Sequence, residues 1–218
     1  MYSLVFDTTA KGVVLGLYDD EKELKVIEKS MEFGQAEELA LSVKNVLDGA
    51  KIDFSDVELL GVCVGPGSFT GVRASIAFAR ALALGNKNLK ITGASAFEVY
   101  AKMLNVEKRS VYNAVIIETK REDFYFQLFD DKLNKLTEPL ALDRDDIIKM
   151  LKSHQVSFIG DGVERFLSQS SGLQIKSVEL SDMMSVKALF EVVYKKNIEK
   201  KLDFPKPLYI RNADACVK

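Results

Sequence analysis

The chain is poor in several residue types that common functional sites require. It has one histidine, two cysteines, four prolines and no tryptophan in 218 residues. A zinc site built from several His and Cys ligands cannot be assembled from this set, and a catalytic triad would have to use His154. The cysteines, Cys63 and Cys216, lie far apart and form no disulfide framework, which favours a reducing compartment.

An excess of one charge and long apolar runs are also absent. With 30 basic and 32 acidic residues the net charge is −2, so no bulk positive field is available to bind a nucleic-acid backbone. No stretch approaches the roughly 20 apolar residues of a membrane-spanning helix. The first seven residues lack the basic start of a signal peptide. We therefore expect a cytoplasmic protein in which any RNA contact is local or depends on a partner.

What is present indicates a folded α/β protein, since 47% of the residues are hydrophobic and glycine and proline are sparse. Periodicity predicts, in the first half, strands at 3–6, 12–18 and 25–29, a helix at 35–50, a strand at 57–64, a helix at 70–84, a strand at 90–92 and a helix at 95–104. In the second half it predicts strands at 111–119 and 123–129, a helix at 143–153, a strand at 156–159 and a helix at 185–201.

Each half opens with a hairpin and ends in helices, so the halves are predicted to be diverged copies of one layered α/β plan. The polar segment 105–110 is the best candidate for a boundary. The sequence thus predicts a first lobe at 1–104, carrying the partner-binding helices, and a second lobe at 105–218, which includes the C-terminal helix and tail.

The most informative segment is Gly65-Pro66-Gly67-Ser68-Phe69-Thr70-Gly71-Val72-Arg73, between a buried strand and a helix. The free N–H groups of such a helix start can bind an anion, but no lysine follows Gly71 as in a P-loop, and the Rossmann spacing also fails. A packing turn that lets the helix approach the sheet is favoured over a phosphate site. Both interpretations keep Ser68 or Thr70 as the helix cap.

Two hairpin turns are weaker candidates for ligand binding. Asp7-Thr8-Thr9 could hold a metal-bound phosphate, although such a tip is more often an Asx turn. Glu118-Thr119-Lys120 occupies the equivalent place in the second hairpin, but it has no glycine to let the backbone approach a phosphate. The possible nucleotide-binding residues are Asp7, Thr8 and Gly162, and ATP hydrolysis by them is not expected.

The helix that follows the glycine-rich loop is apolar on nearly all sides, with only Arg73, Ser75 and Arg80 polar in its interior. Such a helix must be covered nearly all round. Either another subunit supplies part of the cover, or the central sheet and the helix at 35–50 hide it; both readings remain open. Of the other polar residues, Cys63 is predicted in the core and His154 in a solvated loop, and a solvated face is predicted for Lys195, Lys196, Lys200 and Lys201.

The loop at 65–73 resembles the signature of the bacterial TsaB (YeaZ) family, which takes part in making threonylcarbamoyl adenosine in tRNA. The signature residues are Gly65, Pro66, Gly67, Ser68, Phe69, Thr70, Gly71 and Arg73. The resemblance continues at 5–9, 160–162 and 207–211. The chain departs from the family pattern at Gln35-Ala36-Glu37, where many members carry His-Ser-Glu, and at Glu118-Thr119-Lys120, where they carry Asp-Ala-Arg.

This resemblance implies an actin-, Hsp70- and sugar-kinase-like (ASKHA) fold of two related lobes. It implies a subunit with no catalytic residues, metal or cofactor of its own, which docks on a larger catalytic homologue, TsaD. The small ATPase TsaE would join the complex, tRNA would be reached only through it, and the protein alone would form a homodimer. The implied partner-interface residues, on the helices of the first lobe, are Glu37, Leu41, Arg73, Ile76 and Arg80.

Two other functions compete with this one. The chain could be an ATP-binding phosphotransferase of the sugar-kinase-like class that uses Asp7, Thr8 and Gly162. It could also be an inactive homologue of the M22 peptidases, since relatives were once grouped with metalloproteases. The missing metal ligands argue against a working peptidase.

Overall fold

Residues 1–211 are described by a computed structural model of the chain. The first part forms a five-stranded mixed sheet of order β3-β2-β1-β4-β5 with three helices. Its elements are β1 (Tyr2–Asp7), β2 (Val13–Asp19), β3 (Lys22–Lys29), α1 (Gln35–Ala50), β4 (Val57–Cys63), α2 (Phe69–Gly85), β5 (Lys90–Ala94) and α3 (Ala96–Met103). All the helices and strands predicted here are confirmed, with ends shifted by up to three residues.

The second part repeats the same sheet, with the order β8-β7-β6-β9-β10. Its elements are β6 (Tyr112–Glu118), β7 (Phe124–Phe129), β8 (Leu140–Leu142), α4 (Arg144–Leu151), β9 (Gln155–Ile159), α5 (Val163–Ser168), β10 (Gln174–Glu179) and α6 (Val186–Ile198). In both sheets the first two strands form an antiparallel hairpin, and the fourth strand pairs parallel to the first. The predicted duplication is therefore confirmed at the level of topology.

Three elements of the second part escaped the sequence analysis, and each has a physical reason. Strand β8 has three residues and helix α5 six, too few for a period to show. Strand β10 lies at the edge of its sheet, and its sequence Gln174–Glu179 is mostly exposed and polar. An edge strand pairs with a neighbour on one side and can stay largely exposed, so its alternation of apolar and polar residues is weak.

The central strands of the first sheet are buried on both faces, as their continuous apolar sequences predict. On one face Leu4 and Phe6 pack with α1 and α2, and on the other Val5 packs with α3 and α6. Residues of the second sheet, among them Val115 and Phe129, join the same cluster as α3 and α6. These two helices therefore form the layer between the sheets.

Helix α6 belongs with the first sheet, which corrects the predicted second lobe of residues 105–218. Val186 and Val193 of α6 lie over two glycines of that sheet. A Cβ atom on Gly16 would lie 2.4 Å from Val186, and one on Gly61 would lie 2.3 Å from Val193. The missing side chains thus let α6 sit directly on strands β2 and β4, and the chain returns to its first half after completing the second sheet.

Candidate functional site

The glycine-rich loop packs against the turn of the first hairpin. The Ser68 N–H donates to the Thr9 carbonyl oxygen at 2.8 Å, and the Thr8 hydroxyl donates to the Gly71 carbonyl oxygen at 2.9 Å. The Thr8 hydroxyl also lies 2.6 Å from the hydroxyl of Ser75 in α2. A Cβ atom on Gly71 would lie 1.9 Å from the Thr8 carbonyl oxygen, so two backbones touch where this glycine stands.

The start of α2 shows the same close approach. The Ser68 hydroxyl accepts a hydrogen bond from the Gly71 N–H at 3.3 Å and caps the helix, as predicted. A Cβ atom on Gly67 would lie 2.6 Å from the Thr9 carbonyl oxygen. The space left by these glycines is filled by the protein's own backbone, which supports the packing-turn interpretation of the loop over the phosphate site.

Asp7 and Thr8, two of the possible nucleotide-binding residues, are buried. The Asp7 carboxylate accepts a hydrogen bond from the Thr9 N–H at 2.8 Å, which is the geometry of an Asx turn. Burial raises the pKa of Asp7 in spite of the hydrogen bonds from Thr9. Burial, followed by the nearby Asp7 charge, also raises the pKa of the Cys63 thiol, so Cys63 is an unreactive core residue as predicted.

The third possible nucleotide-binding residue, Gly162, lies in the matching turn of the second sheet. A Cβ atom there would lie 3.0 Å from the Glu118 nitrogen, so residues 160–162 pack on the second hairpin turn as the glycine-rich loop packs on the first. The Glu118 carboxylate binds the Arg165 guanidinium through two hydrogen bonds of 2.7 and 2.8 Å. Although burial alone would raise the pKa of Glu118, Arg165 lowers it overall, and the carboxylate is fully engaged within the protein.

The predicted interface residues are divided between surface and core. Glu37 and Arg73 are exposed, and Leu41 is 54% exposed on the outer side of α1. Ile76, however, is only 3% exposed and packs on the sheet, which makes its assignment to an interface wrong. The outer side of α2 instead presents Ala77, Ala81 and Leu84, the last of which is 87% exposed.

Arg80 binds the C-terminal tail, a contact that the sequence analysis did not foresee, and its place in an interface stays a prediction. Its guanidinium donates two hydrogen bonds, of 3.2 and 2.6 Å, to the Pro205 carbonyl oxygen and lies 5.0 Å from the centre of the Phe204 ring. The tail runs along α2 as far as Tyr209, whose hydroxyl accepts a hydrogen bond from Arg73 at 3.2 Å. The tail therefore covers part of α2, in addition to the sheet and α1.

The tail contacts are the part of this surface that sequence reasoning missed. Phe69, Arg73 and Tyr209 form an exposed cluster, with the Arg73 guanidinium 3.9 Å from the centre of the Phe69 ring. The only sequence signal for it was the closing segment 207–211, which resembles the end of known family members. A contact across 136 positions leaves no periodic trace in either partner.

The remaining polar candidates are placed as follows. His154 lies in the loop between α4 and β9, as predicted, but it is half-buried and its ring centre lies 4.2 Å from that of Tyr112. Lys196 also departs from the predicted solvated face, because its ammonium turns inward to the Gly93 carbonyl oxygen at 2.8 Å. Across residues 1–211, no group of three or more His, Cys, Asp or Glu side chains has the arrangement of a metal site. Cys216 lies outside the described residues.

The sequence matches a protein-family model over most of its length. The model is described as TsaD: tRNA N6-adenosine threonylcarbamoyltransferase, and it matches residues 34–217. The chain belongs to this TsaD family. The matched segment includes the glycine-rich loop, both outer helices of the first lobe and the tail, whereas the first hairpin turn, on which the loop packs, precedes it.

Solved structures similar to this TsaD-family chain confirm its fold. One is YeaZ from Pseudomonas aeruginosa, with a TM-score of 0.83 and 17% identity, covering 95% of this chain and 99% of the other. A second is a Pseudomonas aeruginosa protein described as uncharacterized with similarity to peptidase YEAZ, with a TM-score of 0.81 and 18% identity, covering 96% and 99%. The predicted resemblance to TsaB (YeaZ) and the ASKHA fold of two related lobes are confirmed.

Within the fold of this TsaD-family chain, no helix of residues 1–211 is long and apolar enough to cross a membrane. Asp7 and Thr8 share one turn of the first sheet, and Gly162 lies in the corresponding turn of the second. All three positions face the protein's own backbone. Leu41 on the outer side of α1 and Leu84 on the outer side of α2 are among the exposed large apolar side chains of the described residues.

Proposed function

We propose that this protein is a non-catalytic subunit that supports threonylcarbamoyl transfer to adenosine in tRNA by docking on a larger catalytic TsaD. Its membership of the TsaD family and its YeaZ-like fold support the general role. The observation that carries the docking role is the apolar outer side of α1 and α2. We call this surface the docking face and define it by Ala36, Ala40, Leu41, Ala77, Ala81 and Leu84.

The chemistry of the docking face suits association between helices. Its alanines are small, so a partner helix can approach the backbone closely, while Leu41 and Leu84 supply apolar area. Glu37 and Arg73 are exposed, so their charges can remain hydrated. An interface of standard size would bury about 1,600 Å² in total. In the absence of TsaD we expect a second copy of the chain to pair on the same face.

The two hairpin turns support the absence of a catalytic role. A phosphate-transferring member of this fold class would need these turns free to approach a nucleotide. Here Thr8 bonds to Gly71 and Ser75, and Glu118 bonds to Arg165. The turns therefore serve the packing of the chain itself, and we propose that TsaD carries the transfer chemistry while TsaE and tRNA join through TsaD.

The test is a binding measurement with purified TsaD, by calorimetry and by light scattering after size-exclusion chromatography. Leu84→Glu and Ala77→Glu place a charge on the docking face, and each should weaken binding at least tenfold, which is about 1.4 kcal/mol. The matched control is Ile198→Glu, because Ile198 is also exposed, to 64%, and also lies at the end of a helix. The control should bind TsaD like the parent.

Three outcomes would contradict the proposal. The first is that the parent does not bind TsaD, and the second is that the docking-face variants bind as well as the control. The third is turnover of ATP by the isolated chain that is abolished in Asp7→Asn, which would favour the phosphotransferase instead. The variants at Ile76 and Arg80 are unsuitable, since they would disturb the core and the tail.

A further inference from the structure

The tail does not stop at α2 but reaches the second lobe. We call residues 203–211 the strap, because they run from the edge of the first sheet to the turn of the second hairpin. Pro205 and Pro207 fix two backbone angles in this segment and disfavour a helix, so the sequence already favours an extended path. Less conformational entropy is therefore lost when the strap becomes ordered on the surface.

On the first lobe the strap is held at sites spread along its length. Asp203 donates its N–H to the Thr92 hydroxyl at 3.1 Å, beside the edge strand β5. Pro205 is buried. Leu208 and Ile210 pack against the apolar cluster that contains residues of both sheets. The part of the strap that lies on the first lobe therefore has a fixed path.

Arg211 carries the strap onto the second lobe. Its guanidinium forms an ion pair with Asp123 of the second hairpin turn and lies 5.5 Å from the centre of the Tyr125 ring. Asp123 is itself held in place, since the Thr119 hydroxyl donates to its carboxylate at 3.0 Å and Arg165 donates to its carbonyl oxygen at 3.0 Å. The guanidinium of Arg211 thus binds a carboxylate that is already positioned.

The burial of this ion pair distinguishes it from a second ion pair that joins the lobes. The side chains of Arg211 and Asp123 are 25% and 23% exposed, whereas those of Lys11 and Asp182 are 73% and 66% exposed. Exposed ion pairs contribute little because water screens them, and a half-buried pair keeps more of its attraction. Of these two ion pairs, we expect the one of Arg211 to restrain the lobes more.

We propose that the strap is a latch that holds the two lobes at one relative angle, with the ion pair of Arg211 and Asp123 as its releasable end. Release requires the loss of this pair, while the backbone hydrogen bonds of the strap to the first lobe stay in place. The second sheet could then tilt on the layer formed by α3 and α6, as packed layers slide in domain movements. The latch does not depend on docking to TsaD, because it lies within one chain.

The experiment measures the distance between the lobes in the full chain by double electron-electron resonance of two spin labels. The labels are attached through Lys44→Cys on α1 and Lys149→Cys on α4, both exposed positions. Cys63 is buried, and Cys216→Ser removes the other thiol. The labelled parent should give one narrow distribution of distances. In Arg211→Gln a second, shifted population should appear, about tenfold more frequent than in the parent.

Two further variants assign the effect to the ion pair. Asp123→Asn keeps an acceptor for the Thr119 hydroxyl but removes the charge, so it should shift the distances as Arg211→Gln does. The double variant should go no further than either single variant. Lys206→Gln is the matched control, because Lys206 is an exposed cation of the same strap, and it should keep the parent's distribution. Urea unfolding checks that each variant is folded before distances are compared.

Three results would overturn the proposal. One is an unchanged distribution in Arg211→Gln or in Asp123→Asn, which would mean that the layer of α3 and α6 fixes the lobes by itself. Another is the same shift in Lys206→Gln, which would show a general response to a lost charge. A third is a double variant whose shift is the sum of the two single shifts, because Arg211 and Asp123 would then act separately. None of these measurements involves TsaD, so a failure of the proposed docking leaves them unaffected.

Discussion

Gly71 carries a hydrogen atom where other residues carry a Cβ atom, and this allows the first hairpin turn and α2 to pack together. The Thr8 carbonyl oxygen stands where a Cβ atom would have to go, 1.9 Å away, and both partners are backbone. Neither can move without disturbing the first hairpin turn or the start of α2. The family signature at this point is therefore explained by packing, with no ligand required.

Gly71→Ala should lower the free energy of unfolding by more than about 3 kcal/mol, because the clash involves two rigid backbones. Gly85→Ala is the control in the same helix, since a Cβ there would meet nothing within 4 Å. The control should be neutral, or more stable by up to about 1 kcal/mol. Urea unfolding followed by circular dichroism and tyrosine fluorescence measures both. Equal stabilities for the two variants would show that the close approach is wrong.

The orientation of Ile76 was not predictable residue by residue. Helix α2 is apolar nearly all round, so its sequence does not say which side faces the sheet. The contacts of Gly71 and Ser75 with the first hairpin fix its rotation and turn Ile76 inward. By contrast, α1 has one clear apolar side, and its bounds at 35–50 were predicted as observed.

At the scale of elements, the tail is what completes the surface of α2. It has no regular secondary structure, yet its backbone is tied at several points. Gly93 donates to the Asp203 carbonyl oxygen at 3.0 Å, and Leu208 donates to the Val64 carbonyl oxygen at 2.9 Å. Arg80 adds two hydrogen bonds from its guanidinium, a charge-assisted pair that is stronger than a neutral one.

Arg80→Met should loosen the tail and leave the rest of the chain intact. Loss of the two hydrogen bonds is expected to cost about 1–3 kcal/mol locally, so the amides of Gly93 and Leu208 should exchange with solvent at least tenfold faster. Native-state hydrogen exchange measures this. Lys44→Met, on the exposed side of α1, is the control and should change nothing near the tail. Unchanged exchange at both amides in Arg80→Met would contradict the role of Arg80 as an anchor.

At the scale of the whole molecule, the boundary between the lobes gathers acidic residues. Asp161 follows β9 and accepts the Glu118 N–H at 2.9 Å, and Asp182 pairs with Lys11 of the first lobe at 2.9 Å. Burial, followed by the charges of Glu118 and Asp182, raises the pKa of Asp161 to about 6. The folded protein therefore holds a proton here that the unfolded chain releases near pH 4.

The consequence is that Asp161 contributes less to stability as the pH rises. Because the folded state holds the extra proton between about pH 4 and pH 6, the contribution of Asp161 to the free energy of unfolding falls across that window and is constant above it. Asp161→Asn keeps the hydrogen bond from Glu118 and removes the charge. It should be more stable than the parent by about 1–3 kcal/mol at pH 7.5 and equal to it near pH 4.

Urea unfolding at several pH values measures this difference. The control is Asp131→Asn, because Asp131 is exposed, and it should follow the parent at every pH. A gain in stability that is the same at pH 4 and pH 7.5 would show that the charge of Asp161 is not its cause.

Local sequence patterns were enough to predict both hairpins, helix α1 and the buried strand β4, whereas the choice of Ser68 over Thr70 as the cap of α2 came from the structure. It also determined that the two halves share a plan, because the order of strands and helices repeats. Each of these depends on contacts between residues close in sequence, or on an apolar period that any single segment displays.

The folded chain was needed to show where α6, the tail and Arg80 belong, and that Glu98, Gln127, Lys135 and Lys196 line one groove. These contacts join residues that are far apart in the chain. The sequence alone does not show whether a polar side chain is hydrated or bonded to another residue. When the lobes and the tail pack together, these polar side chains are shielded from water and form hydrogen bonds and ion pairs with specific residues.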